Sequence, residues 1–388
     1  MHQAKLFDSF FMGGFECSTH RRRDGQRLDL IHSSGHDRWA GADYAQLATA
    51  GINTVRDGLR WYLIERQSGR YDWSSFLPML RAANEQRTQV IWDLSHYGCP
   101  EGLDIWRPEF VDRFARFAGA VATLVREESD QIPFYSLVNE MSFWSWAGGD
   151  VGYFEPNAHG RGLELKHQLV RASIAAIESV RAVEPRARFV QTDPIIHVLP
   201  DSPSHQDTAA AEGYRMSQFE AWDLLTGERW PGLGGKPEYL DIVGVNYYPH
   251  NQWILSGSRI FRGDSRYRPL AGMLAETWRR YQRPMVITET GSEGHDRASW
   301  MRYICEQVTL AMARGVPIEG ICWYPILDYP GWDDDRHCPA GLLGYADGEG
   351  RRPLDESLSL ELQAQQRQFA LLDSKPAMEA LLFDNQSQ

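Results

Sequence analysis

The chain is poor in cysteine, and its few cysteines are not arranged to staple a fold or to bind zinc. Five occur among 388 residues. Their number is odd, they are scattered, and no two form a Cys-x-x-Cys pair. This pattern argues against a disulfide framework and favours a reducing compartment. The segment Met1–Phe15 also lacks the basic start and long apolar stretch of a signal peptide, so we expect a cytoplasmic protein.

Further absences exclude whole classes of partner. No run of about 18 apolar residues occurs, so no membrane span is expected. Asp and Glu outnumber Lys and Arg by 52 to 40, and the resulting net charge of −12 disfavours binding to nucleic acid. No glycine-rich dinucleotide fingerprint follows any apolar run. His20, His32 and His36 form no His-x-His pair of metal ligands. We therefore expect neither a cofactor nor a metal.

What the sequence does contain is eight short apolar runs that alternate with amphipathic stretches. Runs rich in Val, Ile, Phe and Tyr are typical of buried parallel strands. Eight such units favour a closed (β/α)8 barrel, the TIM-barrel fold, over a doubly wound sheet. We expect residues 1–375 to form this single domain and residues 376–388 to form a tail. The predicted strands are Ser9–Glu16, Asn53–Asp57, Gln89–Leu94, Pro133–Asn139, Ala187–Thr192, Asp241–Asn246, Met285–Glu289 and Ile318–Tyr324.

The stretches between the runs include apolar residues at three- and four-residue steps, which indicate helices that pack on a sheet. The longest insertion, at about Leu199–Lys236, contains the loop-like run Asp201–His205. The predicted helices are Ala42–Ala50, Pro108–Arg126, Glu164–Val183 and Trp300–Arg314.

Nearly every predicted strand ends in polar or aromatic side chains, and these ends form the active site in a barrel of this type. A whole ring of them is hard to explain as structure, because buried polar groups cost free energy unless they are paired. Glu140 and Glu289 end strands four and seven, which face each other across the barrel. One protonated and one ionised carboxylate across a cleft are the minimum for glycoside hydrolysis. Two structural carboxylates in salt bridges are the alternative.

Several motifs are similar to those of family 1 of the glycoside hydrolases, the β-glucosidases and β-galactosidases of clan A. Leu137–Glu140 resembles the acid/base motif of the clan, and Ile287–Gly291 resembles the nucleophile motif of the family. The similarity extends over about residues 9 to 348. Its other segments are Trp92–Pro100, Ile242–Tyr248 and Ile321–Asp328 followed by Trp332.

The resemblance implies roles for the glutamates and their neighbours. Glu140 would act as general acid/base and Glu289 as nucleophile. Three residues are expected to support the nucleophile: Arg56, whose cation would keep it ionised, Asn246 and Tyr248.

The resemblance also implies a set of sugar-binding residues. Asn139 would hydrogen-bond the sugar 2-hydroxyl and His96 another hydroxyl at the inner subsite. Trp323 would floor that subsite by stacking, and Trp332 would add a second wall. Glu16 has no clear counterpart in the family, but an acidic strand end suits the binding of hydroxyls. A core Trp and a satisfied structural His are the competing readings of these residue types.

Two departures from the family pattern bear on the substrate. Gly331 stands where the family has a carboxylate that reads two sugar hydroxyls, and Asp333, Asp334 and Asp335 are its possible substitutes. At the end of predicted strand one, the chain carries Glu16 and His20 where the family has small residues and a glutamine. We therefore expect a divergent, family 1-like retaining β-glycosidase that is exo-acting on a small β-glycoside. An endo-acting glycanase of the same clan and a non-catalytic sugar-binding barrel are the alternatives, and the motifs specify neither the sugar nor the oligomeric state.

Overall fold

A computed structural model describes residues 6–372, and within them eight parallel strands close into a barrel. Each strand pairs with its neighbours in chain order, and the last pairs with the first. The predicted (β/α)8 fold is confirmed, and every strand begins and ends within two residues of its expected bounds. The strands are β1 (Phe11–Gly14), β2 (Thr54–Gly58), β3 (Gln89–Ser95), β4 (Phe134–Val138), β5 (Arg188–Pro194), β6 (Ile242–Asn246), β7 (Met285–Thr290) and β8 (Ile318–Trp323).

Helices surround the barrel, and the four predicted ones are present with slightly different ends. The insertion between β5 and β6 is more regular than expected. The predicted loop ends at Ser204, and the helix His205–Met216 begins there. The Ser204 hydroxyl caps this helix by accepting the Asp207 N–H. The predicted tail lies outside the described residues. Within residues 6–372, no helix is both long enough and apolar enough to cross a membrane. The longer helices are His36–Thr49, Leu77–Gln86, Pro108–Glu128, Gly162–Val183, His205–Met216, Glu220–Thr226, Leu270–Tyr281, Arg297–Ala313 and Glu356–Leu372.

The barrel interior divides into an apolar end and a polar end. Near the amino ends of the strands, buried apolar side chains pack against one another and fill the space. The carboxyl ends carry Arg56, Asp93, Asn139 and Glu289, all of them buried. Charged groups therefore collect at the one end of the barrel where substrate enters proteins of this fold. The apolar set is Phe7, Met12, Ile91, Phe134, Val190, Ile242, Val286 and Cys322.

Asp57, at the end of β2, belongs to a buried ionic network between the barrel and the helix His36–Thr49. The ring nitrogens of His36 lie 2.7 Å from Asp43 Oδ2 and 2.8 Å from Asp57 Oδ2. Arg352 pairs with the far side of Asp43, with 2.6 Å between Nε and Oδ1. Burial lowers the pKa of His36, but the carboxylates of Asp57 and Asp43 outweigh it and raise the pKa to about 9. A protonated imidazole thus joins strand to helix.

This network predicts that the protein loses stability as pH rises. Because the folded-state pKa of His36 lies above its ordinary value of 6.5, its contribution is complete below about pH 6.5 and is lost as pH rises through 9. We expect roughly 3 kcal/mol of unfolding free energy from this group at pH 6. His36→Gln should lose that stability at pH 6 and approach the parent at pH 10. Denaturant unfolding at both pH values checks this.

His32→Gln is the matched control, because His32 is exposed and carries a single surface pair with Asp37. Its unfolding free energy should follow the parent's at every pH. An unchanged gap between His36→Gln and the parent from pH 6 to pH 10 would contradict the protonated form of His36.

Candidate active site

Glu289 lies in β7 with both carboxylate oxygens engaged, and its side chain is buried. Oε1 accepts a hydrogen bond from Arg56 Nη1 at 2.6 Å, and Oε2 accepts one from the Tyr248 hydroxyl at 2.9 Å. Each oxygen thus faces a hydrogen-bond donor, and one of the two donors is a cation. Of the three residues expected to support Glu289, Arg56 and Tyr248 contact it.

Glu140 follows β4 in a left-handed backbone conformation, with φ 42° and ψ 63°. Its carboxyl accepts hydrogen bonds from the Tyr97 hydroxyl at 2.7 Å and from Asn246 Nδ2 at 2.8 Å. Burial and the charge of Glu289 raise the pKa of Glu140 to about 8, while the bonds from Tyr97 and Asn246 act in the lowering direction. Glu140 therefore holds a proton at neutral pH.

Asn246 serves Glu140 and not Glu289, so its expected role as a nucleophile-supporting residue is wrong. Its Oδ1 accepts a hydrogen bond from the Thr288 hydroxyl at 2.7 Å. This bond fixes the amide with Nδ2 towards Glu140. Tyr248, two residues further along the chain, supplies the contact to Glu289 instead.

Arg56 is the cation of the site, and its side chain is 1% exposed. Its Nε and Nη2 lie 3.1 and 2.7 Å from the two oxygens of Asp93, a bidentate pair. Nη1 binds Glu289, and Nη2 also donates to Asn139 Oδ1 at 2.6 Å. Burial lowers the pKa of Arg56, but Asp93 and Glu289 more than reverse this, so the net shift is upward and the guanidinium stays charged. One cation thus joins the ends of four strands.

Asn139 and His96 lie side by side, and Arg56 decides how they are oriented. Because Asn139 Oδ1 binds Arg56, its Nδ2 is the group 2.9 Å from His96 Nε2. His96 must accept there and carry its proton on Nδ1, 3.1 Å from Asp93 Oδ2. Burial lowers the pKa of His96, and Asp93 and Glu16 more than reverse this, so the net shift is upward. A second proton on Nε2 would nevertheless face the Asn139 N–H, so we assign the neutral imidazole on geometry.

Glu16 adds a third buried carboxyl to the cleft, just beyond β1. Its Oε1 accepts hydrogen bonds from the backbone N–H of Ser18, at 3.0 Å, and from the Ser18 hydroxyl, and it lies 4.0 Å from His96 Nε2. Burial raises the pKa of Glu16, His96 and Ser18 lower it in part, and Glu289 raises it again. One oxygen is thus anchored, while Oε2 makes no hydrogen bond to any residue within 6–372.

Trp323 does not face the glutamates, so its expected role as the stacking floor is wrong. Its indole N–H donates to the Ala340 carbonyl at 2.9 Å. The ring lines a small apolar cavity together with Met301 and Leu358 of the outer helices. Successive strand residues point to opposite faces. Cys322 belongs to the barrel interior, so the aromatic residue that follows Trp323 is the one that turns inward.

Tyr324 is that inward aromatic residue. Its ring is nearly parallel to that of His96, at 12° and 6.1 Å between centroids, and 5.4 Å from the Arg56 guanidinium carbon. The ring also lies over Gly14, where an added Cβ would come within 2.1 Å of Tyr324 Cδ2. Tyr324 therefore holds the position for which the sequence suggested Trp323.

Trp332 lies beside the acid/base side of the site, in a group of aromatic rings. Its ring centroid is 5.8 Å from that of Tyr97, 4.7 Å from that of His20 and 6.4 Å from that of Phe143. Since the Tyr97 hydroxyl contacts Glu140, the wall expected from Trp332 is next to Glu140. Burial lowers the pKa of His20 to about 3, so its imidazole is neutral.

Each of the three aspartates after Trp332 has a partner of its own, and Asp334 Oδ1 accepts the Arg336 N–H at 3.2 Å. All three are exposed. Asp333 accepts a hydrogen bond from the Tyr153 hydroxyl at 2.7 Å, and Asp335 lies 3.4 Å from Arg22. Glu16 is instead the additional carboxylate that lies near Glu289 and His96.

Within residues 6–372, one group of side chains has the ligand spacing of a metal site: Cys17, Asp93 and His96. Both Asp93 oxygens are already bound to the Arg56 guanidinium, and this fixed positive charge opposes a cation. Cys17, Asp93 and His96 therefore belong to the hydrogen-bond network that holds Arg56 and His96.

No protein-family model and no curated protein matches the chain. Solved structures do. A β-glucosidase from Thermotoga maritima in complex with glucoimidazole is 15% identical, with a TM-score of 0.76 over 93% of this chain and 99% of that one. A family 1 β-glucosidase structure from the same organism is 16% identical, with a TM-score of 0.73 over 94% and 99% of the chains. The AHE enzyme of Alicyclobacillus herbarius is 17% identical, with a TM-score of 0.75 over 94% and 100%. The chain is thus structurally similar to family 1 β-glucosidases over nearly its whole length, and at this identity the likeness establishes the barrel fold.

Sequence reasoning left Tyr97, Asp93 and Tyr324 out of the site. Tyr97 directly follows His96 and has a left-handed φ of 67°, which breaks strand alternation and brings two neighbouring side chains into the cleft. Asp93 lies three residues before His96 on β3, where its contact to Arg56 depends on the sheet register. Strand parity, counted from Cys322, is the signal that identifies Tyr324.

Arg56 should be the residue on which stability of the site depends most. Arg56→Met would leave Asp93 and Glu289 buried without their cation, and we expect a loss of about 3–5 kcal/mol in unfolding free energy. Adding Asp93→Asn and Glu289→Gln should recover part of it, since the uncompensated charges are then gone. Denaturant unfolding at pH 7 measures all three proteins.

The control is Arg81→Met, which breaks an exposed pair with Glu128 and should cost less than about 1 kcal/mol. If Arg56→Met cost no more than Arg81→Met, the buried guanidinium would not be holding the site together.

Proposed function

We propose that this protein is a retaining β-glycosidase that is exo-acting on a small β-glycoside. The observation that carries the proposal is the difference between its two central glutamates. Glu289 contacts the Arg56 guanidinium and the Tyr248 hydroxyl. Glu140 is buried among neutral donors and has a pKa of about 8. Two carboxyl groups with opposite protonation are what a double displacement requires.

In the proposed first step, ionised Glu289 attacks the anomeric carbon while Glu140 donates its proton to the leaving oxygen. A covalent glycosyl-enzyme forms on Glu289 and the leaving alcohol departs. Glu140, now ionised, then takes a proton from water as the water attacks the anomeric carbon. Glu289 leaves with its charge restored, and Arg56 and Tyr248 stabilise that charge at both ends of the cycle.

The sugar would lie among Glu16, His96, Asn139 and Tyr324. Asn139 shares Arg56 with Glu289 and Tyr97 with Glu140, and its amide suits a sugar 2-hydroxyl. The free oxygen of Glu16 is a hydroxyl acceptor. Tyr324 would take the stacking role, and Trp332 would flank the leaving group beside Glu140. Only side chains and water enter the mechanism.

The structural comparisons support a sugar-like ligand, because one similar structure holds glucoimidazole. A cytoplasmic location stays a prediction from the sequence. An endo-acting glycanase of the same clan would use the same glutamates but would release internal fragments from a polysaccharide, so product sizes separate the two. A sugar-binding barrel without activity would bind aryl β-glycosides and hydrolyse none.

Azide rescue tests the two glutamate roles separately. Glu289→Ala should abolish turnover of an aryl β-glycoside, and azide should restore part of it by attacking the face that Glu289 leaves open, which gives the α-glycosyl azide. Glu140→Ala still forms the glycosyl-enzyme from an activated substrate, so azide should give the β-glycosyl azide. NMR of the first-formed products reads both outcomes.

Gln365→Ala is a suitable control, because Gln365 is a buried polar residue on the outer helix Glu356–Leu372 and bonds Glu361 of the same helix. It should keep parent-like turnover without azide. Full activity in Glu289→Ala, or an inverted sugar from the parent, would overturn the retaining mechanism.

The pH profile should show an alkaline limb set by Glu140. Because Glu140 must be protonated to donate, kcat/KM should fall as pH rises through about 8. Tyr97→Phe removes a donor that favours the ionised form, so the limb should move to higher pH. Rates on a phenyl β-glycoside from pH 5 to pH 10 measure this, and an unmoved limb in Tyr97→Phe would contradict the assigned acid.

A further inference from the structure

Asp193 is a fully buried carboxyl at the end of β5, next to the acid/base but outside the groups used so far. Its Oδ1 accepts the Ser142 backbone N–H at 3.0 Å, and its Oδ2 accepts the Ser142 hydroxyl at 3.0 Å. Ser142 is the second residue of the short helix Met141–Trp144, which begins directly after Glu140. Asp193 is thus tied to the backbone segment that carries Glu140.

The backbone turn at Glu140 needs such support. A left-handed φ is costly for a residue other than glycine, on the order of 1 kcal/mol or more. Two neighbouring residues of β5 hold it. The Glu140 N–H donates to the Thr192 carbonyl at 3.1 Å, and Asp193 holds Ser142 two residues further on. The position of the Glu140 carboxyl therefore depends on β5 as well as on β4.

The charge of Asp193 has little direct compensation. Lys166, on the helix Gly162–Val183, is the cation that acts on it. The Lys166 ammonium is already paired with Glu220, at 2.6 Å between Nζ and Oε2. Burial raises the pKa of Asp193 to about 7, while the hydrogen bonds from Ser142 and the charge of Lys166 act in the lowering direction.

We propose that Asp193 is a positioning residue for Glu140: through Ser142 it holds the turn that aims the Glu140 carboxyl, and its charge opposes ionisation of that carboxyl. This inference rests on the proposed function, since it assigns to Asp193 a role in the acid step. It adds β5 to the strands that serve the acid/base.

The groups facing Glu140 come from four elements around it. Tyr97 after β3 and Tyr248 after β6 are neutral, and the Tyr97 hydroxyl bond lowers the pKa of Glu140. Glu289 on β7 and Asp193 on β5 carry charges that raise it. Removing the Asp193 charge while keeping its shape should therefore make Glu140 a stronger acid.

The test uses Asp193→Asn and Asp193→Ala in the full chain. The asparagine can still accept the Ser142 N–H but has no charge, so the alkaline limb of kcat/KM should move down by about 0.5 pH unit or more. The alanine also frees the turn. It should lower kcat/KM roughly 10- to 100-fold on a phenyl glycoside, which needs the acid, and much less on a 2,4-dinitrophenyl glycoside, which does not.

Asp241→Asn is the matched control, a partly buried carboxyl that binds Arg188 at the amino end of β6, the opposite end of the barrel from Glu140. It should lower the unfolding temperature without moving the limb or the dependence on leaving group. If both Asp193 variants lost activity equally on both substrates and kept the parent's limb, Asp193 would be only structural and the inference would be overturned.

Glu140→Gln separates this result from a failure of the proposed function. If Glu140→Gln showed no preference for the activated leaving group, Glu140 would not be the acid, and the proposed function itself would fall. If Glu140→Gln showed that preference and the Asp193 variants did not, only the role of Asp193 would be lost.

Discussion

The guanidinium of Arg56 is the contact on which the rest of the site depends. It lies on β2 and binds Asp93 on β3, Asn139 at the end of β4 and Glu289 on β7. Burying one cation with two carboxylates is costly unless every donor is used, and here all three nitrogens make contacts. The orientation of Asn139 follows from this, and the tautomer of His96 follows from Asn139. The charge on Glu289, which helps to keep Glu140 protonated, follows from it as well.

Burial then makes the two glutamates different. Both carboxyl groups are buried. The groups that they contact, and not solvent, therefore make their two environments different. Glu289 has a cation at 2.6 Å, whereas Glu140 has an amide and a phenol. The separation of roles is therefore built from four or five side chains on rigid strand ends.

The fold and the glutamate environment were largely predictable from the sequence, whereas side-chain direction at strand ends was not. Strand positions follow from apolar runs, and the pairing of Arg56 with Glu289 was implied by the resemblance to family 1 of the glycoside hydrolases. The direction of Trp323 depends on a single step of register, and the pairing of β7 with β8 is irregular between Ile321 and Trp323. Asn246 is the last residue of β6. The hydrogen bond from the Thr288 hydroxyl to its Oδ1 turns its Nδ2 towards Glu140, and this contact could not be read from the sequence.

The left-handed backbone at Glu140 has a consequence for how such a sequence can change. Glycine or asparagine would adopt that conformation with less strain and would remove a buried acid. Either residue at position 140 is therefore expected to give a more stable but inactive protein. Selection for stability alone would thus disfavour a glutamate at this position. A glutamate persists at this backbone position only as long as turnover is worth more to the organism than the added stability.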